Sequence, residues 1–346
     1  MKLLMITRRV DKDDGLTGFT YNWIKKLSRR VDRLEVICLE KGTTNWLPTN
    51  VAVHSLGKER GKDRSKEFWR LQSLAGRLVP KVDGVFAHQN PEYGILMSPW
   101  TKIFKKRLIA WYTHKQVTWR LRLLNALVDV MVTASADSFR LPSKKLKVLQ
   151  HGIDTEMFCY GKRPDKKVIN LLSVSRISPT KNIDKMIALV ADLKEHLKQP
   201  IIFKIAGVPT LPKDREYLED LKKQVARLGL GGQVQFLGSV ANDQTPELYQ
   251  EADIFLNFSQ TGSVDKTVLE AMSTGSLVLV SNEAFKDILQ PINQYLYLQD
   301  IEDARENIKY LLAADRELLG LKLRDYVLNN HNLDILLDKI VDLFKK

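Results

Sequence analysis

Residues 168–207, "VINLLSVSRISPTKNIDKMIALVADLKEHLKQPIIFKIAG", decide the fold. "VINLLSV" is a short apolar, β-branched run of the kind that forms a buried strand, and "PIIFKIAG" repeats it. Between them "NIDKMIALVADLKEHLK" carries its apolar residues at helical spacing. Strand, helix and strand in this order make a βαβ unit, whose two strands lie parallel with the helix across one face.

The same alternation extends in both directions. Before this stretch come "KLLMIT", "LEVICL", "VAVHSL", "GVFAH", "RLIAWYT" and "VDVMVTA", and after it "QVQFLG", "DIFLNF", "LVLVS" and "YLYL", with "REYLEDLKKQVARLG" as a further helix. Strands alternating with helices over 346 residues predict an α/β protein with two doubly wound domains. Residues 156–167, "EMFCYGKRPDKK", lose periodicity and read as the linker, which sets domains at 1–160 and 165–328. The closing helix, within 332–346, must bury Leu333, Leu336, Leu337, Ile340, Val341 and Phe344.

Composition bounds the function. A hydrophobic share of 44% with 27% charged residues is globular, and no run approaches the length of a membrane span, so a soluble, cytoplasmic chain is expected. Cys38 and Cys159 are too few for a disulfide framework or a cysteine-rich metal site. The net charge of +13 is concentrated in residues 1–160, which hold 29 basic against 15 acidic side chains and all six tryptophans. Such a surface suits an anionic membrane or a nucleic acid, or is simply a solvated basic face over ordinary core tryptophans. No nucleic-acid-binding module is recognisable, so nucleic acid is the least supported partner.

In open α/β sheets ligands sit beyond the carboxyl ends of strands. Gly15 and Gly18 follow the first strand and open a helix with Thr17 as its expected cap. They either let a ligand approach the helix N-terminus or form an ordinary tight turn. Their spacing fails the dinucleotide fingerprint G-x-G-x-x-G, which argues against a nicotinamide enzyme. His88 and His114 each end a strand, whereas His54, His196 and His331 do not, and His151 begins the crossover where a structural role is expected. Arg176 and Lys181 lie on one loop after a strand, a pair that suits a diphosphate. After "DIFLNF" comes "SQTGSVDKTVLEAMSTG", residues 259–275, where Ser263 or Asp265 would cap a helix and Gly275 would end it. The backbone of Thr261, Gly262 and Ser263 would meet an anion at that helix start. Glu270, two turns in, either accepts two hydroxyls of a ribose diol or pairs with Lys266 four residues earlier.

Taken in order, "VMVTASADSFRLP", "VLQHGIDTEMF", "SVSRISPTKNID", "FLGSVANDQTPELYQEADIFLNFS" and "VLEAMSTGSLVLVS" resemble the retaining glycosyltransferases of family 4. That resemblance implies the GT-B fold, two Rossmann-like domains facing a central cleft, with the last helix returning to the first domain. It implies a nucleoside-diphosphate sugar as donor, with Arg176 and Lys181 on the diphosphate and Glu270 on the ribose. It further implies His114 on the transferred sugar, the Gly15–Gly18 loop toward phosphate or acceptor, and the backbone around Gly238 to Val240 reading the base. No metal or other cofactor is expected; the one Asp-x-Asp in the chain, Asp11-Lys12-Asp13 within "DKDD" at 11–14, lies in the wrong half. The acceptor is expected to be a glycan or a lipid-linked hydroxyl, reached by docking at the inner face of a membrane. The family usually carries a second glutamate eight positions before the ribose glutamate, and here that position is Gly262. Thr261, Ser263, Asp265 and Lys266 thereby become candidates for the sugar and phosphate contacts. The departure marks either an altered donor preference or a degenerate nucleotide-sugar-binding protein without activity.

Overall fold

The computed structural model describes residues 1–15, 17–61, 63–161, 167–260 and 262–345. The chain forms two compact units, Met1–Gly152 with Leu333–Lys346, and Ile153–Asn332.

The first unit runs β1 (Lys2–Val10), α1 (Gly18–Ser28), β2 (Arg33–Lys41), β3 (Val51–Ser55), α2 (Arg64–Leu78), β4 (Gly84–His88), α3 (Pro91–Ile103), β5 (Arg107–Trp111), α4 (Trp119–Leu127), β6 (Val130–Thr133) and β7 (Leu146–Val148). Its seven strands are ordered β3-β2-β1-β4-β5-β6-β7, and all the pairings are parallel. Alternate residues of β1 feed opposite faces. Leu4 and Ile6 enter a core shared with Leu71, Leu74, Met97, Leu121 and Leu124 of α2 to α4, while Leu3 and Met5 pack with Trp23, Ile24 and Leu27 of α1. β7 escaped the sequence reading because "LKV" is short and its last two residues are exposed.

The second unit runs β8 (Ile169–Val174), α5 (Ile183–His196), β9 (Ile201–Ala206), α6 (Pro212–Arg227), β10 (Val234–Gly238), α7 (Thr245–Glu251), β11 (Ile254–Asn257), α8 (Lys266–Ser273), β12 (Leu277–Val280), α9 (Lys286–Leu289), α10 (Ala304–Ala313) and α11 (Arg316–Asn330). Its five parallel strands are ordered β10-β9-β8-β11-β12, so the stretch that predicted a βαβ unit is one, with β8 and β9 in register from Ile169 with Ile201 to Val174 with Ala206. The predicted strand "YLYL" is not a strand. Tyr297 makes a single bridge to Val280 after a 3-10 turn at Gln294–Leu296, leaving Leu298 N–H on the Val280 carbonyl.

Residues 156–161 are aperiodic as read, yet they belong to the second unit and not to a free linker. Phe158 is buried in that unit's core, and its carbonyl accepts from Ser273 Oγ at 2.7 Å and Arg324 at 3.0 Å. Residues 162–166 of the predicted linker lie outside the described residues. The final helix, α12 (Leu333–Lys345), buries Leu333, Leu336, Leu337, Ile340 and Val341 against the β1 and α1 core of the first unit, with Phe344 half-buried beside it. Lys26 is itself buried and reaches Asp334 at 2.7 Å, and Arg30 bonds both Asp334 and Asp338.

Candidate active site

In the second unit the carboxyl ends of β8 and β11 lead into two loops that are stitched together side chain by side chain. Lys181 Nζ donates to Ser259 Oγ at 3.2 Å and to Asp265 Oδ2 at 3.1 Å. Asn257, the last residue of β11, donates to the same Asp265 oxygen at 3.0 Å. Asn182, held in the left-handed region at φ 51°, donates to the Phe258 carbonyl at 2.7 Å. Lys181, Asn257 and Ser259 are all buried, so these bonds form where water does not compete for them.

Gly207 shapes the first of these loops. It ends β9 at φ 144°, its N–H bonds the Gly238 carbonyl at 2.7 Å, and a β-carbon there would lie 1.8 Å from the Ser175 carbonyl oxygen. Only glycine allows β9 to pass that close to the Ser175–Arg176 backbone. Arg176 follows, exposed and with no ion pair among the described residues. The two cations read as one clamp thus differ: Arg176 is free in solvent, whereas Lys181 is anchored and largely neutralised by Asp265.

The second loop enters α8. Gly262 occupies the left-handed region at φ 60°, where a glutamate would be strained. Ser263 is tied through its carbonyl to Asn282 Nδ2 at 2.8 Å. Asp265 occupies the cap position, but among the described residues no side chain caps α8, contrary to the expectation for Ser263 or Asp265. The Asp265 carboxylate is turned to Lys181 and Asn257 instead of to the helix N–H groups. Gly275 does end the helix region, at φ 77°. Thr261 lies outside the described residues.

Glu270 is 8% exposed and accepts from the Tyr249 hydroxyl at 3.0 Å. Burial pushes its carboxyl up to about 7, against the opposing pull of the Tyr249 hydrogen bond and the Lys266 charge. Burial likewise brings the Lys266 ammonium down to about 8, with the Glu270 charge acting in the opposite direction. Both readings of Glu270 are therefore compatible: it feels Lys266 and retains acceptor capacity beyond the one Tyr249 bond. Val240 lies two residues past β10, half-buried, after Gly238 turns the chain at φ 71°.

In the first unit Gly15 is exposed, and Gly18 is buried as the first residue of α1. Thr17 does not cap this helix. Asp14 takes its N–H at 2.6 Å and its hydroxyl at 2.8 Å, and is itself held by Arg9. A carboxylate thus already stands at the α1 start, in competition with any ligand anion. His88 is fully buried among the rings of Phe19, Trp23 and Phe86, with Thr7 Oγ1 at 3.1 Å from its Nδ1, a core histidine. His114 is exposed, and its Nδ1 accepts from the Gln116 N–H at 3.1 Å. The sequence reading missed Tyr249, Asn257, Ser259, Asn182, Asn282 and Gly207. Asn257 alone left a trace, as a polar residue closing an otherwise apolar strand.

Two doubly wound parallel sheets, with loops at strand ends built around cations and a buried glutamate, define the GT-B class of glycosyltransferase folds. Residues 153–322 match the family model described as glycosyl transferases group 1, and the unit that holds them belongs to that family. Among curated proteins the chain is 35% identical over 116 residues, 33% of its length, to alpha-monoglucosyldiacylglycerol synthase of Streptococcus pneumoniae, of which the match covers 24%. It is 29% identical over 213 residues, 57% of its length, to an uncharacterised glycosyltransferase of Methanocaldococcus jannaschii, covering 51% of that protein. The sulfoquinovosyl transferase of Arabidopsis thaliana is 25% identical over 307 residues, 75% of this chain and 57% of the relative. The chain therefore spans roughly a quarter to just over a half of these relatives. Among solved structures, HepE of Anabaena in complex with UDP and glucose superposes with a TM-score of 0.75 over 100% of both chains at 15% identity. A glycosyltransferase from Rickettsia africae gives 0.77 over 99% of this chain and 97% of its own at 16% identity.

Proposed function

We propose that the protein is a retaining glycosyltransferase that moves a sugar from a nucleoside-diphosphate donor to an acceptor hydroxyl without a metal ion. The observation that supports it most is the stitched pair of loops after β8 and β11, which puts Lys181, the α8 start and Glu270 on neighbouring segments of one unit. In this reading Glu270 accepts the ribose hydroxyls, and Arg176 with the α8 N-terminus takes the diphosphate. Lys181 contributes its remaining N–H at a position that Asp265 and Ser259 hold. Val240 and the Gly238 turn border the base. The bond from the anomeric carbon to the leaving phosphate oxygen breaks while the acceptor oxygen bonds the same face, and the acceptor proton passes to the leaving phosphate. The cations and helix dipole stabilise the negative charge that the diphosphate gains. His114 and the Gly15–Gly18 loop are assigned to the transferred sugar and the acceptor.

Calorimetry with UDP, GDP, ADP and their sugar conjugates, with and without chelator, tests the donor site. Chelator-insensitive binding of one diphosphate, weakened about tenfold or more by Glu270→Ala and by Arg176→Ala, is expected. No binding across the panel would overturn the assignment. A second reading, a binding protein without turnover, is favoured by Gly262 in its left-handed conformation. It is distinguished by donor binding without any transfer or donor hydrolysis.

The acceptor is proposed to be lipid-linked. Trp46, Trp69 and Trp119 are 82%, 70% and 65% exposed, and all three belong to the basic first unit. Trp69 and Trp119 lie in the first halves of α2 and α4, among exposed Arg64, Lys66, Arg70, Arg120 and Arg122. Indoles beside cations suit an anionic interface, and no helix among the described residues is long and apolar enough to cross a membrane. Cosedimentation with anionic but not neutral vesicles, lost as salt rises, is the expected result; salt-insensitive recovery in the supernatant removes the membrane from the proposal.

A further inference from the structure

At the other edge of the first sheet lies a basic pocket that the proposed transfer reaction does not use. Its cavity, about 590 Å³, is lined by Thr101, Lys102, Lys105, Lys106, Arg107, Leu127 and Asp129. Lys102 stands in the last turn of α3 and Arg107 opens β5, so the pocket opens at the amino edge of the parallel sheet. The Gly15–Gly18 loop and His114 follow the carboxyl ends of β1 and β5, at the opposite edge.

Two observations point to an anion. First, none of the four cations makes an ion pair among the described residues, although they stand within six consecutive positions. The lone carboxylate of the pocket, Asp129, is engaged through Oδ2 by the Leu108 N–H at 2.7 Å. Second, Arg107 Nε is shielded from solvent with no hydrogen-bond partner, a charged donor left unsatisfied. The turn between the cations is the left-handed stop of α3, with Lys105 at φ 50° and the Lys106 N–H on the Thr101 carbonyl at 2.7 Å. The α3 C-terminus carries partial negative charge that favours nearby cations, but it does not satisfy Arg107 Nε.

We propose that this pocket is an anion site for a phosphate or diphosphate group, separate from the donor site and suited to a regulatory phosphorylated ligand or an anionic headgroup. A guanidinium with ammonium groups around it matches a tetrahedral oxyanion, the arginine by paired N–H groups and the lysines as point charges.

The test uses the full chain carrying Arg176→Ala, which weakens the donor site, so that its outcome does not depend on the proposed transferase activity. Pyrophosphate is titrated by calorimetry at about 50 mM salt and again at about 300 mM. Binding at the lower salt is expected, about tenfold or more weaker once Lys105→Glu and Lys106→Glu are added, and unchanged when the same charge reversal is made at exposed Lys198 and Lys213. Arg107→Gln should weaken binding on its own, and near-wild-type thermal unfolding of the Lys105→Glu, Lys106→Glu protein shows that the loss is not misfolding. Vesicles containing phosphatidic acid form the second arm. If they, and not pyrophosphate, lose binding in the double variant, the phosphate belongs to a lipid; if pyrophosphate does, the ligand is soluble. If neither probe binds, or the double variant binds both like its parent, the site does not exist.

Discussion

Asp265 shows how one side chain decides the character of its neighbours. With Lys181 at 3.1 Å and Asn257 at 3.0 Å on the same oxygen, it holds a cation in place. Removing one partner of a largely buried pair leaves the other charge uncompensated. Asp265→Ala is therefore expected to destabilise the second unit by about 1–3 kcal/mol in urea unfolding, with non-additive behaviour when combined with Lys181→Met. Glu270 supplies a pH signature. Its carboxyl must be ionised to accept two ribose hydroxyls, and burial holds it up to about 7. Affinity for the nucleoside diphosphate, relative to its 2′,3′-dideoxy analogue, should rise with pH by up to about tenfold per unit below neutrality and level off above it. A constant ratio between the two ligands from pH 5.5 to 8.5 would show that Glu270 does not hold the diol. The same shift affects stability. The folded state keeps a proton that the unfolded chain releases, so stability falls as pH rises from about 4.5 toward 7, and Glu270→Gln should flatten that slope.

Among the elements, the approach of β9 to the loop after β8 is the most exacting. Gly207→Ala would place a carbon 1.8 Å from the Ser175 carbonyl, so the loop that carries Arg176 and Lys181 must shift. A loss of about 2 kcal/mol or more in stability, together with weakened diphosphate binding, is expected, whereas an unperturbed variant would mean that the loop tolerates displacement. Gly320 plays a comparable part in packing α11 on α8, since a β-carbon there would lie 2.5 Å from the Gly275 carbonyl. The helix that bears Glu270 is thus held by α11 just past its carboxyl end. At β1, alternation between two cores explains why the strand reads as continuously apolar: Leu3 and Met5 serve one face, Leu4 and Ile6 the other.

At the scale of the whole molecule, each unit has its own core, and the chain closes the first with its last helix. α12 contributes Leu336, Leu337 and Ile340 to the core that holds Trp23 and Trp111. Leu337→Ala, at a fully buried position, should cost about 2–4 kcal/mol in the first unit. Deleting residues 333–346 should shift tryptophan emission to the red as that core opens to water. If the donor site lies in the second unit as proposed, a nucleoside diphosphate should raise the unfolding temperature of one calorimetric transition and leave a second in place. A single transition that shifts as a whole would show that the units unfold cooperatively.

The sequence by itself determined the alternation of strands and helices, the parallel sheets, the apolar stripe of α12, and the presence of polar loops after β8 and β11. These depend on period and on the order of segments, which are local properties of a chain. Glu270, Lys181 and Arg176 could be singled out because each lies on a segment that follows a strand end. The tertiary structure decided what those side chains touch. Lys181 meets Asp265 across 84 positions and Glu270 meets Tyr249 across 21, and no spacing rule announces either pair. It also decided that "YLYL" makes one bridge and not a strand, that Phe158 anchors an apparent linker, and that Asp14 replaces Thr17 at the start of α1. In each case the outcome depends on which distant backbone or side chain packs alongside, a long-range contact that local pattern does not encode.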